Sequence, residues 1–252
     1  MRRTFSIGWD VGAWGRELGD ALWIVDGAGN THGKPCHGNW GNDIQQARTA
    51  REFIQKLFLR CGRDLPPDTS LVTLAIDAPL AFPASFVKLL KEEHLHAEPL
   101  GKAIENPYLF RRTEAFAARE RGRNPLSPLQ DPIGSQTTKI SHVLAKFGFH
   151  NNGAGVWLAK GSDEFDIHLI EAYPAMCKES KDGPLLPGPL KLPHDRVRAE
   201  HTSVTQDEND ALICALIAHL HLHEPDTLHS PLANPGYFLP EEGWIWFPKK
   251  EQ

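Results

Sequence analysis

The chain has 252 residues, of which 23% are charged and 40% belong to the hydrophobic set AVILMFWYC, and its formal net charge is −5. This composition excludes collagen, coil and short peptide scaffolds, and it predicts a globular protein with one large domain or two small ones. The negative net charge argues against a surface coated in positive charge for indiscriminate nucleic-acid binding.

The first predicted elements are a hairpin, a third strand and a helix. Residues 4–9 alternate in polarity, and the apolar run 21–25 ends at an Asp-Gly turn, so the two segments predict antiparallel strands. A third strand is expected over 31–37. Apolar residues at helical spacing predict a helix that Asp43 caps and that ends near residues 61–62.

The continuous apolar run 71–76 predicts a strand that is buried on both faces. Prolines bound this run, and such strands are typical of parallel sheets reached through a helical crossover. Asp77 follows at the carboxyl end of the strand. The later predicted elements are, in chain order, a helix over 84–94, a basic proline-rich stretch over 98–132, a helix over 133–147, strands over 156–159 and 167–170, a loop over 181–195, a helix over 207–221 and a short strand over 244–247. A hairpin followed by alternating strands and helices predicts one α/β or α+β domain around a mixed sheet.

Several carboxylates lie at the ends of these predicted apolar elements. Ligand sites in open α/β sheets form outside the carboxyl ends of the strands, where Asp10, Asp77 and Glu171 are expected. Asp207 and Asp210 are three residues apart at a helix start, so they share one helical face. Carboxylates in proximity repel one another unless a cation is bound, and Mg²⁺ and Mn²⁺ prefer oxygen ligands. The pattern therefore predicts a divalent metal centre.

Helix capping and turn formation offer an alternative explanation for these carboxylates. Asp and Glu favour strand ends and helix N-termini, and Asp207 would make a good N-cap with Asp210 at the third helical position. This explanation does not extend to Asp77. Its neighbours Ile76 and Ala78 are apolar, and a charge in such surroundings is costly unless it is paired or liganded.

The segment 101–150 is basic, with eight Lys and Arg residues against four Asp and Glu residues. Its cations alternate with aromatic residues, which is a pattern found where proteins contact the phosphates and bases of nucleic acids. The predicted substrate-binding residues are Arg111, Arg112, Glu114 and Lys139. A solvated helix face with internal ion pairs would give the same pattern.

Six short motifs occur in a fixed order along the chain. They are IGWD at 7–10, AIDAPL at 75–80, RTE at 112–114, IEAYP at 170–174, DENDAL at 207–212 and EGWI at 242–245. Taken together they resemble the domain-of-unknown-function family 429, whose members are described as predicted nucleases with a ribonuclease H-like fold. The resemblance spans nearly the whole chain.

The resemblance implies a ribonuclease H-like mixed five-stranded sheet with flanking helices and insertions. It places Asp10 on the first strand, Asp77 on the fourth, and Asp207 and Asp210 on a late helix. The spacing of the last pair is similar to that in Holliday junction resolvases of the same superfamily. Glu171 and the Arg112–Glu114 segment match motifs of the family itself rather than the general ribonuclease H pattern.

These observations predict a metal-dependent nuclease that hydrolyses phosphodiester bonds of DNA or RNA. Asp10, Asp77, Asp207 and Asp210 are the predicted ligands of Mg²⁺ or Mn²⁺, and Glu171 is predicted to support the site. Two such ions about 3.5 to 4 Å apart can activate a water and stabilise the leaving oxygen, so no Ser or Cys nucleophile is needed.

Two other functions are compatible with the sequence. The segment Asp10-Val-Gly12 before a hairpin resembles a phosphate-binding turn, which would fit a phosphotransferase or ATPase of the actin-like superfamily, although no second phosphate loop is evident. A non-catalytic nucleic-acid-binding module that keeps the basic face is the other alternative.

The sequence also bears on cellular location. The apolar run 211–218 is far short of the roughly 18 residues that a membrane span needs, and Asp10 ends the N-terminal apolar stretch too early for a signal peptide. The four cysteines are scattered without a C-x-x-C pair, which predicts reduced thiols. We therefore expect a cytoplasmic protein without membrane spans.

Overall fold

A mixed sheet organises the protein, whose structure is a computed structural model that describes residues 2–31, 34–92, 102–162, 164–180, 183–201 and 203–250. Within these ranges the chain forms an α/β fold of eight strands and seven α-helices. The strands are β1 (Arg3–Asp10), β2 (Asp20–Asp26), β3 (Cys36–Gly38), β4 (Ser70–Asp77), β5 (His150–Asn151), β6 (Trp157–Ser162), β7 (Phe165–Ala172) and β8 (Ile245–Trp246). The helices are α1 (Gly41–Gln46), α2 (Ala50–Arg60), α3 (Ala84–Leu90), α4 (Arg112–Arg121), α5 (Ile133–Lys146), α6 (Lys191–Glu200) and α7 (Gln206–His223).

The strand order is β3-β2-β1-β4-β7-β6-β5, and β8 pairs with the end of β7. Strands β1 and β2 form the predicted antiparallel hairpin, and β3 continues it. Strand β4 is parallel to both β1 and β7, which confirms the buried parallel strand expected over 71–76. The described sheet therefore has eight strands rather than the five that the family resemblance implies.

The sheet separates two hydrophobic clusters. One face packs against α2 and α5 and buries alternate strand residues such as Trp9 and Ile76. The other face packs against α4 and α7 and buries Ala75 and Ile170. Helix α7 is enclosed on all sides over 211–218, where every side chain is at most 2% exposed. None of the helices in the described ranges combines the length and apolarity that crossing a bilayer requires.

The structure differs from the sequence prediction in the first helical region and in the loop expected before the last helix. The helix expected from Asp43 is two helices, because the chain turns extended at Ala47 and Thr49 then caps α2 by accepting a hydrogen bond from the Glu52 N–H. The loop expected over 181–195 ends earlier, since α6 begins at Lys191. Pro193 lies in the first turn of α6, where the missing N–H of proline costs no helical hydrogen bond.

Other boundaries shift by a few residues. Strand β3 covers only the end of the segment predicted over 31–37, of which residues 32 and 33 lie outside the described ranges. Helix α3 ends at Leu90, and the segment 93–101, with the predicted end of that helix and the start of the basic stretch, also lies outside them. The described remainder of the basic stretch contains α4, whose Phe116 ring packs 5.0 Å from the Trp244 ring.

Candidate functional site

The carboxyl ends of β1 and β4 place two aspartates side by side. The strands are parallel, and Asp10 lies directly opposite Asp77. Two residues earlier on each strand, Gly8 and Ala75 face α7: a Cβ atom on Gly8 would overlap the backbone of Ala211, and Ala75 belongs to the α7 cluster. Because strand residues two apart point to the same face, Asp10 and Asp77 also face the α7 side of the sheet.

The start of α7 brings two further aspartates to this place. The Thr205 hydroxyl accepts a hydrogen bond from the Glu208 N–H at 3.2 Å, and the Glu208 carboxylate accepts one from the Thr205 N–H at 2.7 Å. This capping box fixes the beginning of the helix. Asp207 and Asp210 follow it and line a cavity of about 320 Å³ together with Asp10.

The prediction that Asp207 is the N-cap of this helix is therefore wrong. Thr205 performs that role, and Glu208 occupies the third helical position that was assigned to Asp210. The backbone of Thr205 is extended and its hydroxyl accepts from the third helical N–H, whereas Asp207 already lies inside the helix. Side-chain capping consequently does not explain why Asp207 and Asp210 lie where they do.

The proximity of the carboxylates changes their acidity. Burial raises the pKa of Asp10 well above its usual value, and repulsion from Asp77, Asp210 and Asp207 raises it further. Burial is also the main cause of the raised pKa of Asp77, where repulsion from Asp210 adds to it and attraction to Lys178 opposes it. The charges of Asp207 and Asp210 thus act on Asp10, and those of Asp210 and Glu171 act on Asp77.

A lysine that the sequence analysis did not single out lies among these aspartates. The Lys178 side chain is 3% exposed, and its ammonium group donates to one oxygen of Asp210. Gln206 Nε2 donates to the other oxygen of Asp210 at 2.9 Å, and His37 Nε2 lies 3.2 Å from Asp207 Oδ2. Lys178 follows a short 3₁₀-helix and lies outside the basic stretch, so no pattern in the sequence marked it.

Glu171 faces the other side of the sheet. Leu169, two residues earlier on β7, belongs to the α2–α5 cluster, and the alternation of the strand sends Glu171 to that face. Its carboxylate accepts hydrogen bonds from Arg111 Nη1 at 2.8 Å and from the Leu80 N–H at 3.0 Å. Arg111 Nε also donates to Glu114 at 2.8 Å. Burial raises the pKa of Glu114 to about 7 although Arg111 opposes this shift.

A second cavity of about 130 Å³ lies between this network and the aspartates. Asp77, Glu114 and Glu171 all line it, together with mostly apolar residues. Gln136 lines both cavities, which makes them neighbours. Glu171 therefore shares a cavity with Asp77 at the end of β4, whereas Asp10, Asp207 and Asp210 line the neighbouring one.

Lys139 is paired inside the protein. Its ammonium group lies 2.7 Å from Asp20 Oδ2 and 3.2 Å from the carbonyl oxygen of Gly12. The Asp20 carboxylate also accepts hydrogen bonds from Trp9 Nε1, from the Gly12 N–H and from the Trp40 N–H, at 2.9 to 3.0 Å. Both backbone groups of Gly12 are thus engaged internally, and the turn that resembles a phosphate-binding turn offers neither of them to a phosphate.

The predicted substrate contacts are consequently divided between the interior and the surface. Arg111 is 1% exposed and Lys139 is 0% exposed, and both are neutralised by carboxylates, so the structure places neither where a phosphate can reach it. Glu114 is also buried. Arg112 is exposed, and its N–H donates to Glu242 at 2.8 Å.

The donor set of the aspartate cluster fits a hard divalent cation. It consists of carboxylate oxygens, and burial first and carboxylate repulsion second raise the pKa of Asp10 and Asp77, so a bound cation would favour their ionised forms. Within the described residues, no three His, Cys, Asp or Glu side chains converge on one ion-sized position. Magnesium in proteins is commonly held by one or two carboxylates, and water and substrate phosphates complete its coordination shell. Binding of magnesium therefore does not require three of these carboxylates to meet at one point.

Comparison of the chain with models of known families, with curated proteins and with solved structures gave no significant match.

Proposed function

We propose that the protein is a metal-dependent hydrolase of phosphodiester bonds in nucleic acid, with a ribonuclease H-like fold. One observation carries the proposal. Asp10, Asp77, Asp207 and Asp210 come from two adjacent strand ends and a helix start, where burial, with repulsion between carboxylates as a second cause, raises the pKa of Asp10 and Asp77. Carboxylates gathered at adjacent strand ends and a helix start are the feature that a catalytic metal centre requires.

The arrangement of the sheet supports the fold assignment. The strands β3, β2, β1, β4 and β7 are consecutive neighbours, with an antiparallel hairpin on one side and two parallel strands on the other. This five-stranded part carries the aspartates, whereas β5, β6 and β8 lie at its edge. A mixed five-stranded part of this kind is what a ribonuclease H-like fold requires, so it supports the proposal.

Each residue of the cluster has a defined task in this proposal. One or two of the carboxylates of Asp10, Asp77, Asp207 and Asp210 would hold the cation directly, with water and substrate phosphate as its other ligands. When bound, the cation supplies a Lewis acid for the attacking water and the leaving oxygen. Lys178 and Gln206 fix both oxygens of Asp210, so that carboxylate is oriented before any ligand arrives.

The exposed Arg16 contributes positive charge to the same cavity. It lines the cavity together with Asp10, so its guanidinium group is placed to attract a phosphate towards the aspartates. Arg112 is the other exposed cation that the proposal assigns to the substrate. Both residues bind the sugar–phosphate backbone in this scheme, which gives affinity without sequence preference.

Calorimetric titration with Mn²⁺ and Mg²⁺ tests the metal centre. We expect saturable binding to the chain and its loss in Asp77→Asn, because that variant removes a carboxylate at the centre of the cluster. Asp64→Asn changes an exposed carboxylate outside the cluster and serves as the matched control. Equal binding by all three proteins, or no binding even with an uncleavable oligonucleotide present, contradicts the proposal.

A cleavage screen on single-stranded, double-stranded and branched DNA and RNA tests the reaction itself. Asp10→Asn should abolish metal-dependent cleavage while its circular dichroism spectrum stays that of the parent chain. Cleavage retained in Asp10→Asn would overturn the assignment. A thermal shift with ATP and no cleavage would favour the actin-like alternative, and nucleic-acid affinity that ignores both metal and chelator would favour the binding module.

A further inference from the structure

The loop that joins β1 to β2 carries a tryptophan on the surface of the protein. Four of the seven tryptophans are at most 1% exposed, whereas Trp14 is 36% exposed. Leu18, further along the same loop, is 62% exposed. A large aromatic side chain stabilises a fold most when it is buried, so packing of the core does not explain why Trp14 lies at the surface.

Hydrogen bonds and a ring contact hold this loop against its neighbours. Ser135 Oγ on α5 accepts a hydrogen bond from the Trp14 N–H at 3.1 Å, and Asn39 Nδ2 donates to the carbonyl oxygen of Arg16 at 2.7 Å. The Trp14 ring also meets the His142 ring of α5, with the centroids 5.7 Å apart and the planes at 66°. The exposed indole is therefore positioned before any ligand binds, which lowers the entropic cost of binding to it.

Trp14 lies beside the cavity of the aspartate cluster. Val11 and Arg16, on either side of it in the loop, both line that cavity. Gln136 on α5 lines the cavity as well, and it follows Ser135, which accepts the Trp14 N–H. Arg16 is two residues from Trp14, and two residues of chain span at most about 7 Å. The guanidinium group and the indole can therefore contact the same nucleotide or adjacent nucleotides of one strand.

We propose that Trp14 stacks on an unpaired nucleobase of the substrate while Arg16 binds a phosphate of the same strand. This inference rests on the proposed function, and it adds that the substrate is single-stranded nucleic acid or a single-stranded segment of a larger one. An aromatic ring stacks on any base because every base has a π face, so the contact selects for strand state rather than for sequence. A base inside a duplex must first be unstacked from its neighbours, at a cost in free energy.

Fluorescence anisotropy of a labelled oligothymidylate of about 12 nucleotides with uncleavable linkages, in the presence of Mg²⁺, tests the stacking contact. Trp14→Ala should weaken binding about tenfold, and Trp14→Phe, which keeps a π face, should stay within about threefold of the parent chain. Leu18→Ala is the matched control, since Leu18 is exposed on the same loop but has no π face. It should bind as the parent chain does. The circular dichroism spectrum of each variant should match that of the parent chain.

A scan of abasic positions along the same oligonucleotide tests the contact from the side of the ligand. Removal of one particular base should weaken binding to the parent chain about tenfold, because the partner of the indole is lost. The same removal should have no effect on binding to Trp14→Ala, since the two changes delete one interaction. The scan on the parent chain does not depend on whether any variant folds.

The outcomes separate this inference from the proposed function. Trp14-dependent binding of the single strand without metal-dependent cleavage by the parent chain would keep the stacking site and refute the nuclease. Affinity for a duplex should be the same for Trp14→Ala and the parent chain, and an equal loss for duplex and single strand would overturn the inference. It would also be overturned by absence of single-strand binding, by unchanged affinity in Trp14→Ala, or by an equal loss in Leu18→Ala.

Discussion

Replacing Gly8 by alanine tests how closely α7 lies on the sheet. A Cβ atom at this position would be 1.8 Å from the carbonyl oxygen of Ala211 and 2.3 Å from the nitrogen of Ala215. Both are backbone atoms of a helix enclosed on all sides, so no side chain can rotate away. The helix must retreat by about 1.2 Å before the first contact reaches 3.0 Å, the shortest separation that Cβ atoms tolerate. Overpacking of this kind costs about 3 kcal/mol or more of unfolding free energy.

The direction of the stability change distinguishes this steric argument from the intrinsic strand preferences of glycine and alanine. In a strand without such a contact, alanine is favoured over glycine by roughly 0.5–1 kcal/mol. Urea unfolding followed by circular dichroism should show Gly8→Ala lowering the midpoint by about 1 M, given a slope of about 3 kcal/mol per molar for a chain of this size. Gly15→Ala is the matched control, since Gly15 is exposed and a Cβ there would meet nothing within 4 Å. An alanine variant at position 8 as stable as the parent chain would refute the described contact.

Three further changes should alter stability in defined ways. Lys139→Met leaves the buried Asp20 carboxylate without its cation and should cost about 3–5 kcal/mol in urea unfolding. Thr205→Ala removes the N-cap of α7 and should cost about 1 kcal/mol in the same assay. Burial and repulsion raise the pKa of Asp77 in the folded chain above its usual value of 3.8, so ionisation of Asp77 lowers the free energy of unfolding. The contribution of the protonated carboxyl group to stability is complete below pH 3.8 and is lost as the pH rises through the raised pKa. Asp77→Asn should therefore be more stable than the parent chain at pH 8, and this advantage should vanish at acidic pH.

Each of these changes has a control of the same residue type. Lys88→Met alters an exposed lysine of α3, and Thr138→Ala alters an exposed threonine inside α5, so both should stay within about 0.5 kcal/mol of the parent chain. Asp64→Asn should show no stability gain at pH 8. A Lys139 variant as stable as its control, or a constant stability difference for Asp77→Asn across the pH range, would contradict the corresponding argument.

The sequence predicted the parts of the fold that local patterns determine. The hairpin β1–β2 follows from alternation and an Asp-Gly turn, and the buried strand β4 from a continuous apolar run between prolines. Asp10 and Asp77 were expected at strand ends for the same reason. The start of α7 was misplaced by two residues, because Thr205 and Asp207 are both good caps and only the tertiary structure selects between them.

Contacts between distant segments could not be predicted in this way. The pairs Lys178–Asp210, Arg111–Glu171 and Lys139–Asp20 join residues 32, 60 and 119 positions apart. A basic residue gives the same signal in the sequence whether it faces a phosphate or a buried carboxylate. For this reason the sequence leaves phosphate contacts and internal ion pairs as alternatives for the basic stretch, and the structure divides its cations between the interior and the solvent.

The enclosure of α7 has a consequence for how the aspartate cluster can move. Residues 211–218 are buried against the sheet, whereas Asp207 and Asp210 belong to the preceding, partly exposed part of the helix. This part can fray while the rest of the helix stays folded, because its opening exposes little apolar surface. Amide hydrogen exchange in α7 should accordingly be fast before Ala211. Beyond Ala211 it should be as slow as exchange that requires global unfolding. A cation that bridged the turn to the strands would slow exchange in the first turn selectively, so the helix itself would report occupancy of the cluster.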